Sequence, residues 1–230
     1  MRLSILIPAY NEEGTIEELL DRVLAADVGA EKEVIVVDDC SHDRTPEILS
    51  GYADRVRVIR HDRNQGKGAA LRTALAHATG DWVVPQDADL EYDPADLKKL
   101  VETALASGAR IVYGSRRLHR ANKQYSALSF YLGGILVTWV ANLVYGLRLT
   151  DEPTCYKLVD RSLMERMDLE CERFEFCAEV TAKAARMKER IVEIPIVYMP
   201  RNMKEGKKIR AKDGWETIVT LLRYRRWRPS

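Results

Sequence analysis

The stretch Leu3-Ser4-Ile5-Leu6-Ile7-Pro8 is a short apolar run that leads into the polar segment Ala9-Tyr10-Asn11-Glu12. A second run of this kind, Glu33-Val34-Ile35-Val36-Val37, leads directly into Asp38-Asp39. Short runs with few polar residues are typical of strands that are buried on both faces of a parallel sheet. We therefore predict two parallel strands with polar loops at their carboxyl ends.

Helical periodicity occupies the stretches between the apolar runs. Between the first two runs, Thr15 and Glu18 would form a capping box at the start of a helix. The buried stripe of this helix is predicted at helical spacing, on Ile16, Leu19, Leu20, Val23 and Leu24. The helix that starts at Asp93-Pro94 is predicted to turn a similar set inward, namely Leu97, Leu100, Val101 and Leu105.

The same alternation continues along the first half of the chain. Further helices are predicted from Thr45-Pro46 and from Gly66-Lys67-Gly68, and further strands over residues 56–59, 81–86 and 111–113. Strands that alternate with helices are joined by right-handed crossovers and build a parallel sheet. We therefore predict an α/β fold in which a mostly parallel central sheet is flanked by helices.

Three polar residues stand at predicted carboxyl ends of strands: Tyr10, Asp39 and Asp89. Ligands of open α/β sheets bind in the crevice outside these ends. The placement is a physical reason, separate from any motif, to expect the three side chains in one site.

The pair Asp87-Ala88-Asp89 follows the apolar run Trp82-Val83-Val84-Pro85 and places two carboxylates where a buried strand ends. A magnesium-type ion usually takes one or two protein carboxylates, and substrate phosphates complete its shell. We predict Asp89 as the first metal ligand, Glu91 as the second, and Asp87 as a ligand or a ribose contact. The alternative is an ordinary acidic turn after a strand.

Composition is typical of a compact enzyme. The chain has 230 residues, of which 46% are hydrophobic, and this is enough for one sizeable core. We predict a single domain over residues 1–230, with residues 1–117 and 118–230 as its two halves. Lys and Arg number 36 against 35 Asp and Glu, so the net charge of +1 gives no argument for a nucleic-acid partner.

The cysteines and histidines do not form a metal-binding or disulfide pattern. Cys40, Cys155, Cys171 and Cys177 have no Cys-x-x-Cys spacing, and the 4 histidines do not cluster around them. Reduced thiols suit the cytoplasm. The first apolar run is too short and interrupted for a signal peptide, so we do not expect export.

Several motifs occur in an order that resembles family 2 glycosyltransferases, most closely the dolichyl-phosphate mannosyltransferase-like branch. In the first half they are residues 8–12, Asp38-Asp39 with Ser41 and Asp43, Gly66-Lys67-Gly68 and Asp87-Ala88-Asp89. Three later stretches resemble further motifs of that branch: residues 151–158, Phe174-Glu175-Phe176 with Glu179, and residues 205–209. The resemblance implies a nucleotide-binding fold of the GT-A type. It also implies an inverting, metal-dependent enzyme that moves a hexose from a nucleotide diphosphate sugar to a polyprenyl phosphate.

For residues 1–117, the resemblance implies a nucleotide-sugar-binding role. Residues Pro8, Ala9, Tyr10 and Glu12 would place a backbone turn and an aromatic ring against the base, and Asp39 would accept a hydrogen bond from the base imide. Lys67 lies between two glycines, which permit close approach to a phosphate or ribose. Its alternative is an exposed lysine at a helix start.

Basic residues would assist a bound Mg²⁺ or Mn²⁺ in neutralising the departing nucleoside diphosphate. We predict this role for Arg116, Arg201, Lys207 and Lys208. For residues 201–212 the alternative is a solvated basic loop.

The second half would bind the acceptor, whose nature stays open at this stage. A sugar hydroxyl would need a carboxylate base, for which Asp151 and Glu179 are the candidates, whereas a phosphate is already ionised near neutral pH. Cys155 and residues 118–123 depart from the pattern of the mannosyltransferase branch. A soluble saccharide acceptor and an inactive sugar-nucleotide-binding subunit are the alternative functions.

Residues 124–147 carry no charged side chain, and their length approaches the ~20 residues that span a bilayer. They would form a membrane span, a core or dimer-interface helix of a homo-oligomer, or an interfacial helix that touches lipid. The basic and aromatic tail over residues 223–228 is typical of headgroup contacts. Because the resemblance implies a lipid acceptor, we predict a peripheral protein at the cytoplasmic face of the membrane.

Overall fold

The computed structural model describes residues 1–122, 128–201 and 211–229. Seven strands form one sheet, and their bounds are β1 Arg2–Ala9, β2 Glu31–Asp38, β3 Arg57–Arg60, β4 Trp82–Pro85, β5 Ile111–Ser115, β6 Lys157–Asp160 and β7 Ile191–Pro195. They lie side by side in the order β3-β2-β1-β4-β6-β5-β7. The predicted α/β fold with a mostly parallel sheet is confirmed.

One strand runs against the others. β1 pairs in parallel with β2 and β4, β2 with β3, and β5 with β7, whereas β6 is antiparallel to both β4 and β5. The register of β1 and β2 ends with Ala9 opposite Asp38. The polar residues that follow these two strands therefore begin side by side at one edge of the sheet.

Eight helices lie in the described residues, followed by a short 3₁₀ turn at Tyr224–Arg226. Their bounds are α1 Ile16–Ala25, α2 Thr45–Ser50, α3 Lys67–Ala76, α4 Asp96–Ser107, α5 Leu128–Tyr145, α6 Arg161–Arg166, α7 Phe176–Arg186 and α8 Ala211–Arg223. The helices expected in the first half are all present. Two details of the predictions were wrong, one in α1 and one in α4.

The predicted capping box of α1 does not form. Thr15 occupies the cap position, but its hydroxyl donates to Glu12 Oε2 at 2.9 Å and caps no helical N–H group. In α4, Leu105 is 62% exposed and Ala104 is buried in its place. Leu97, Leu100 and Ala104 fall at i, i+3 and i+7, which keeps one face of the helix on the sheet.

Side chains of the central strands fill cores on both faces of the sheet. Leu3, Ile5 and Ile7 of β1 pack in one apolar cluster, and Leu6 packs in another on the opposite side. This alternation is the period of two of a strand, and burial on both sides explains why the run contains so few polar residues. Each such fully buried side chain contributes roughly 1.5–3 kcal/mol to the free energy of folding.

A third apolar cluster attaches α5 and α8 to α7. It includes Val137 and Ala141 of α5, Ala178 of α7 and Leu221 of α8. Tyr145 of α5 also donates its hydroxyl to the Leu221 carbonyl at 2.6 Å. These contacts hold α5 and α8 side by side.

Most of α5 faces outward. Only Val137, Thr138 and Ala141 are buried among its residues. Large apolar side chains are exposed on both adjacent helices, and together we call them the apolar face: Leu128, Leu132, Ile135, Leu136, Trp139 and Leu143 of α5, with Trp215, Val219 and Leu222 of α8. The core alternative for residues 124–147 is therefore wrong for the described part of that stretch. Among the described helices, α5 alone has the length and composition of a membrane span, and 17% of it is buried.

Candidate active site

A cavity of about 870 Å³ opens at the carboxyl ends of the strands. One end is lined by residues that follow β1, β2 and β4, and the other by residues of α5 and α8. The predicted site residues that line it are Pro8, Ala9, Tyr10, Glu12, Asp39, Lys67, Asp87, Asp89, Glu91, Arg116, Asp151 and Arg201. Lys207 and Lys208 lie outside the described residues.

Asp39 lies directly after β2 and joins three parts of the chain. Its carboxylate accepts hydrogen bonds from the backbone N–H groups of Gln65 and Gly66 at 2.8 and 2.7 Å, and it contacts His61 Nδ1 at 2.7 Å. Gly66 has φ +99°, and a Cβ there would lie 2.4 Å from the Glu172 carbonyl oxygen. Glycine is therefore required where the loop before α3 passes the Glu172 carbonyl.

Asp87 and Lys67 form an ion pair on the floor of the cavity. Lys67 Nζ lies 2.5 Å from Asp87 Oδ1, and the lysine side chain is 19% exposed. Burial lowers the pKa of Lys67, but the Asp87 carboxylate together with the neighbouring Cys155 and Cys177 holds the pKa well above its ordinary value. The alternative of an exposed lysine at a helix start does not hold.

Arg201 crosses the cavity between two carboxylates. Its guanidinium lies 3.0 Å from Asp89 Oδ2 and 3.2 Å from Glu12 Oε2, and its side chain is 16% exposed. Glu91 holds the segment that carries it, because Glu91 Oε1 accepts from Arg201 N at 2.8 Å and Oε2 accepts from the Tyr198 hydroxyl. Residues from the start and the end of the chain thus meet around Asp89.

Asp89 has the most perturbed carboxyl group of the cavity. Burial raises its pKa, the neighbouring carboxylates of Asp87 and Glu91 raise it further, and Arg201 offsets them only in part, so the pKa is about 7. A buried group of like charges is stabilised by a bound cation. The Asp87 and Asp89 oxygens therefore fit a hard divalent ion.

The number of ligands in the cavity agrees with a magnesium-type site. Within the described ranges, no three His, Cys, Asp or Glu side chains are arranged to enclose a metal by themselves. An ion held by one or two carboxylates, with phosphate oxygens as its other ligands, needs no such enclosure. Glu91 accepts hydrogen bonds from Tyr198 and Arg201, and Asp89 likewise accepts from Glu91 N and from Arg201, so these bonds alone do not rank the two carboxylates as ligands.

Arg116 is tied to Asp151. Its Nε, one terminal nitrogen and its backbone N–H donate to the Asp151 carboxylate at 2.7, 2.7 and 2.9 Å. Asp151 is fully buried; burial alone would raise its pKa, but Arg116 outweighs that effect and holds the pKa below the ordinary value. A carboxylate that is fully buried and paired in this way is a poor proton acceptor. Its contacts instead orient Arg116.

Glu179 does not belong to this cavity. Its carboxylate accepts from the N–H groups of Glu170 and Cys171, both at 2.8 Å, and forms an ion pair of 2.6 Å with Lys183. The side chains of Glu179 and Lys183 are both 0% exposed, so neither can contact a ligand in the cavity. The prediction of Glu179 as a catalytic base is therefore wrong, because α7 turns this side chain into the protein interior.

Tyr198, Tyr92 and Arg117 also line the cavity but were not predicted from the sequence. Tyr198 stacks on the Arg116 guanidinium, whose carbon lies 5.0 Å from the ring centroid. The Tyr92 hydroxyl accepts from Cys155 N at 3.0 Å and helps to hold the segment before β6. Arg117 lies next to Arg116 after β5 and points toward α5. For Arg117, the doubled arginine at a strand end was the available signal.

A mixed α/β sheet with acidic residues in a crevice at its strand ends defines a protein of the GT-A glycosyltransferase class. A sequence model described as Glycosyl transferase family 2 matches residues 4–167. The chain belongs to glycosyl transferase family 2, as its motifs predicted.

Curated relatives resemble the chain over nearly all of its length. A dolichol-phosphate mannosyltransferase from Pyrococcus furiosus is 31% identical and matches 99% of this chain and 64% of its own length. An undecaprenyl-phosphate 4-deoxy-4-formamido-L-arabinose transferase from Edwardsiella ictaluri is 32% identical over 89% of this chain and 62% of its own length. The chain thus spans less than two thirds of the length of these relatives.

Solved structures share the fold. A glucosyl-3-phosphoglycerate synthase from Mycobacterium tuberculosis, in complex with Mn²⁺, uridine diphosphate and phosphoglyceric acid, superposes with a TM-score of 0.72 at 23% identity. The match covers 100% of this chain and 80% of that one. Staphylococcus aureus TarS, in complex with UDP-GlcNAc, superposes with a TM-score of 0.63 at 20% identity, over 97% of this chain and 66% of that one.

Proposed function

We propose that the chain transfers a hexose, with inversion, from a nucleotide diphosphate sugar to a polyprenyl phosphate. The observation that carries the proposal is the shape of the cavity, which joins the Asp87 and Asp89 carboxylates at one end to apolar residues of α5 and α8 at the other. The names of the relatives from Pyrococcus furiosus and Edwardsiella ictaluri describe transferases that use dolichol phosphate and undecaprenyl phosphate. The shape of the cavity and the names of the relatives both favour a lipid phosphate acceptor.

The donor would bind at the end of the cavity formed by β1, β2 and β4. Tyr10 and Asp39 would contact the base, and Lys67 and Arg201 already place positive charge beside the carboxylates that face the diphosphate. Asp87 and Asp89 would hold Mg²⁺ or Mn²⁺, which when bound supplies positive charge to the departing nucleoside diphosphate. The Mn²⁺ and uridine diphosphate named for the Mycobacterium tuberculosis enzyme support this assignment.

The reaction is a single displacement. An oxygen of the acceptor phosphate forms a bond to the anomeric carbon of the donor from the face opposite the leaving diphosphate, and the bond from that carbon to the diphosphate oxygen breaks. The nucleoside diphosphate leaves with the bonding electrons, so the anomeric configuration is inverted. A phosphate acceptor is ionised near neutral pH and needs no base, which agrees with Asp151 being tied to Arg116 and Glu179 lying outside the cavity.

The acceptor tail would reach the cavity from a membrane surface. The apolar face of α5 and α8 borders the cavity, and the described tail contains Arg223, Arg225, Arg226 and Arg228. Partial burial of apolar side chains together with attraction of arginines to anionic lipid is the usual basis of interfacial binding. We propose a peripheral location at the cytoplasmic face, where nucleotide sugars would be available.

A transfer assay with labelled donors tests the function. A panel of nucleotide diphosphate sugars is incubated with a polyprenyl phosphate and, separately, with water-soluble saccharides, and the label is followed between organic and aqueous phases. We expect label in the polyprenyl phosphate with at least one donor. Label only in a saccharide would support the hydroxyl-acceptor alternative. Binding of the donor with neither transfer nor slow hydrolysis of the donor would identify an inactive binding subunit.

A further inference from the structure

We propose that Arg117 binds the phosphate of the acceptor and that Gly134 makes room for the arginine. The inference rests on the proposed function, which it extends by assigning the residue that distinguishes an acceptor with a phosphate from one without. Arg117 stands beside Arg116 in sequence, but the structure gives the two arginines different neighbours.

Three of the five basic side chains that line the cavity in the described residues are paired with carboxylates. Lys67 pairs with Asp87, Arg116 with Asp151, and Arg201 with Asp89 and Glu12. Arg117 is half-buried and forms no ion pair with the part of the chain that is described; Arg173 shares that property but is exposed to solvent. Arg117 does help to lower the pKa of Asp151, but that carboxylate is already paired with Arg116. A partly desolvated guanidinium that forms no ion pair of its own favours binding of an anion.

Three contacts fix the position of the Arg117 side chain. One terminal nitrogen donates to the Thr150 carbonyl oxygen at 2.9 Å, and the guanidinium carbon lies 5.6 Å from the centroid of the Tyr131 ring. The backbone N–H donates to Ser115 Oγ at 3.3 Å. Because one terminal nitrogen donates to a carbonyl, the other N–H groups of the planar guanidinium can donate to a second acceptor.

Gly134 provides the space that the other terminal nitrogen occupies. A Cβ at this position would lie 3.0 Å from Arg117 Nη2 and 3.7 Å from Pro153 Cγ, whereas a Cβ at Gly133 would have no heavy atom within 4 Å. A methyl group at residue 134 would therefore force a small shift of the Arg117 guanidinium. The adjacent glycine offers a matched control on the same helix.

The surroundings of Arg117 fit a molecule with an anionic head and an apolar body. Beyond it the cavity is lined by Phe130, Leu136 and Val137 of α5 and by Trp215 and Ile218 of α8. The neighbouring Arg116 has different contacts, since it stacks on Tyr198 and Tyr198 bonds to Glu91. An isoprenoid phosphate would therefore place its phosphate at Arg117 and its chain between α5 and α8.

Isothermal titration calorimetry with farnesyl phosphate, farnesol and inorganic phosphate tests the assignment without donor or metal. The wild-type chain is compared with Arg117→Gln, Arg117→Lys, Gly134→Ala and Gly133→Ala. We expect farnesyl phosphate to bind more tightly than either partial ligand. Arg117→Gln should weaken its binding by about 10- to 100-fold, which is the loss expected of one or two charge-assisted hydrogen bonds.

The other variants separate charge, geometry and packing. Arg117→Lys should restore part of the affinity, Gly134→Ala should weaken binding severalfold, and Gly133→Ala should leave it unchanged. Farnesol binding should be similar in all five proteins. Equal farnesyl phosphate affinity in wild type and Arg117→Gln would overturn the proposal, and so would an equal loss for farnesol, which would indicate packing alone.

The transfer assay distinguishes failure of this inference from failure of the proposed function. If the wild-type chain glycosylates a polyprenyl phosphate and Arg117→Gln retains the wild-type acceptor KM, the function stands and the role of Arg117 is wrong. If the wild-type chain glycosylates only saccharides and does not bind farnesyl phosphate, both are wrong. A raised acceptor KM in Arg117→Gln, with unchanged affinity for the nucleoside diphosphate, supports both.

Discussion

The carboxylates of the cavity differ in their hydrogen-bond partners and neighbouring charges, and this difference decides their roles. Asp151 accepts three hydrogen bonds from Arg116 and is fully buried. Asp89, in contrast, is surrounded by other carboxylates, and its pKa of about 7 shows that Arg201 does not fully offset burial and repulsion. Asp151 is therefore a positioning residue, and Asp89 is suited to a cation.

Removal of the Asp89 carboxylate tests the metal assignment. We expect Asp89→Ala to lower kcat/KM by about 100-fold or more, because charge on the departing diphosphate would be less well neutralised. Asp87→Ala should be similarly severe and Glu91→Ala milder. Chelation of divalent ions in the wild-type protein should have the effect of Asp89→Ala.

A nearby aspartate outside the cavity provides the control for that series. Asp93 accepts from Ala95 N at 3.0 Å and does not line the cavity, so Asp93→Ala should retain activity. Circular dichroism should show that Asp89→Ala remains folded. Full activity of Asp89→Ala or of the chelated enzyme would contradict metal assistance, and a harsher effect of Glu91→Ala would reverse our order of ligands.

Asp39 is expected to govern affinity for the donor nucleotide. Its carboxylate holds the N–H groups of Gln65 and Gly66 and lies at the cavity wall. Asp39→Ala should weaken binding of the nucleoside diphosphate by about 1.5–3 kcal/mol, the range for a hydrogen bond to a charged group. Calorimetric titration of the nucleotide measures this loss.

A second aspartate with the same loop-holding role separates binding from folding. Asp43 accepts backbone hydrogen bonds from Glu13 and Thr45, each at 3.0 Å, but does not line the cavity. Asp43→Ala should lower stability and leave nucleotide affinity close to that of the wild type. Equal affinities for Asp39→Ala and Asp43→Ala would limit Asp39 to a role in loop structure.

The Arg116 pair should make stability depend on pH in the acid range. Because the folded pKa of Asp151 lies below its ordinary value of about 4, the pair stabilises the fold fully above that value. The stabilisation is lost as the pH falls through the folded pKa. Urea unfolding between about pH 6 and about pH 3 should show a larger loss for the wild type than for Asp151→Asn. Parallel pH curves would remove this pair as a source of acid sensitivity.

At the scale of elements, α5 and α8 determine how the protein meets its surroundings. The two helices share a small buried cluster, while the apolar face around it is exposed. Residues 128–145 are apolar enough for a buried helix, yet only three of their side chains are buried. An apolar surface of this kind on adjacent helices needs a partner, for which we propose lipid.

The membrane proposal predicts reversible binding to vesicles. We expect co-sedimentation that is stronger with anionic than with neutral vesicles and weaker at high salt, since each basic residue near the surface contributes about 1 kcal/mol. Trp139→Ser and Trp215→Ser should weaken binding to both kinds of vesicle. Replacement of Arg225 and Arg226 by glutamine should weaken binding to the anionic kind.

A leucine on a different helix serves as the control for the vesicle experiment. Leu105 of α4 is 62% exposed, close to the 59% of Trp139, but it lies outside the apolar face. Leu105→Ser should bind vesicles as the wild type does. Absence of vesicle binding at low salt, together with a dimer in light scattering that Trp139→Ser dissociates, would support the dimer-interface alternative for α5.

For the whole molecule, the order of strands shows how the two halves depend on each other. β6 and β7, from the second half, flank β5 from the first, and β6 also pairs with β4. β5 is buried along its whole length, while β7 beside it is only partly buried. This interleaving supports our proposal that residues 1–230 form a single domain.

A fragment of residues 1–117 tests that proposal. It would lose the partners of β4 and β5 on the β6 side and would expose apolar edges to solvent. We expect no cooperative thermal unfolding for the fragment, in contrast to one sharp transition for residues 1–230. A fragment that unfolds cooperatively and binds nucleoside diphosphate would show that the first half is an independent domain.

Much of this organisation was predictable from local patterns. Apolar runs and helical periodicity identified the elements of the first half, and the motifs after the strands predicted which residues would meet at the crevice. These predictions succeed because the side chains of an element repeat with a fixed period, and because parallel strands end at a common edge. The antiparallel direction of β6 was not predictable in this way, since alternating burial does not encode the direction of a strand.

By itself, the sequence determined the family, the α/β class and the placement of Tyr10, Asp39, Asp87 and Asp89 at one edge of the sheet. Only the tertiary structure decided which charges are paired: Arg201 reaches Glu12 and Asp89, Asp151 is tied to Arg116, and Glu179 is turned away toward Lys183. The physical reason is that local periodicity assigns a residue to a face of its own element. Its partner across a cavity depends on how distant parts of the chain come together, and on how much water their packing excludes.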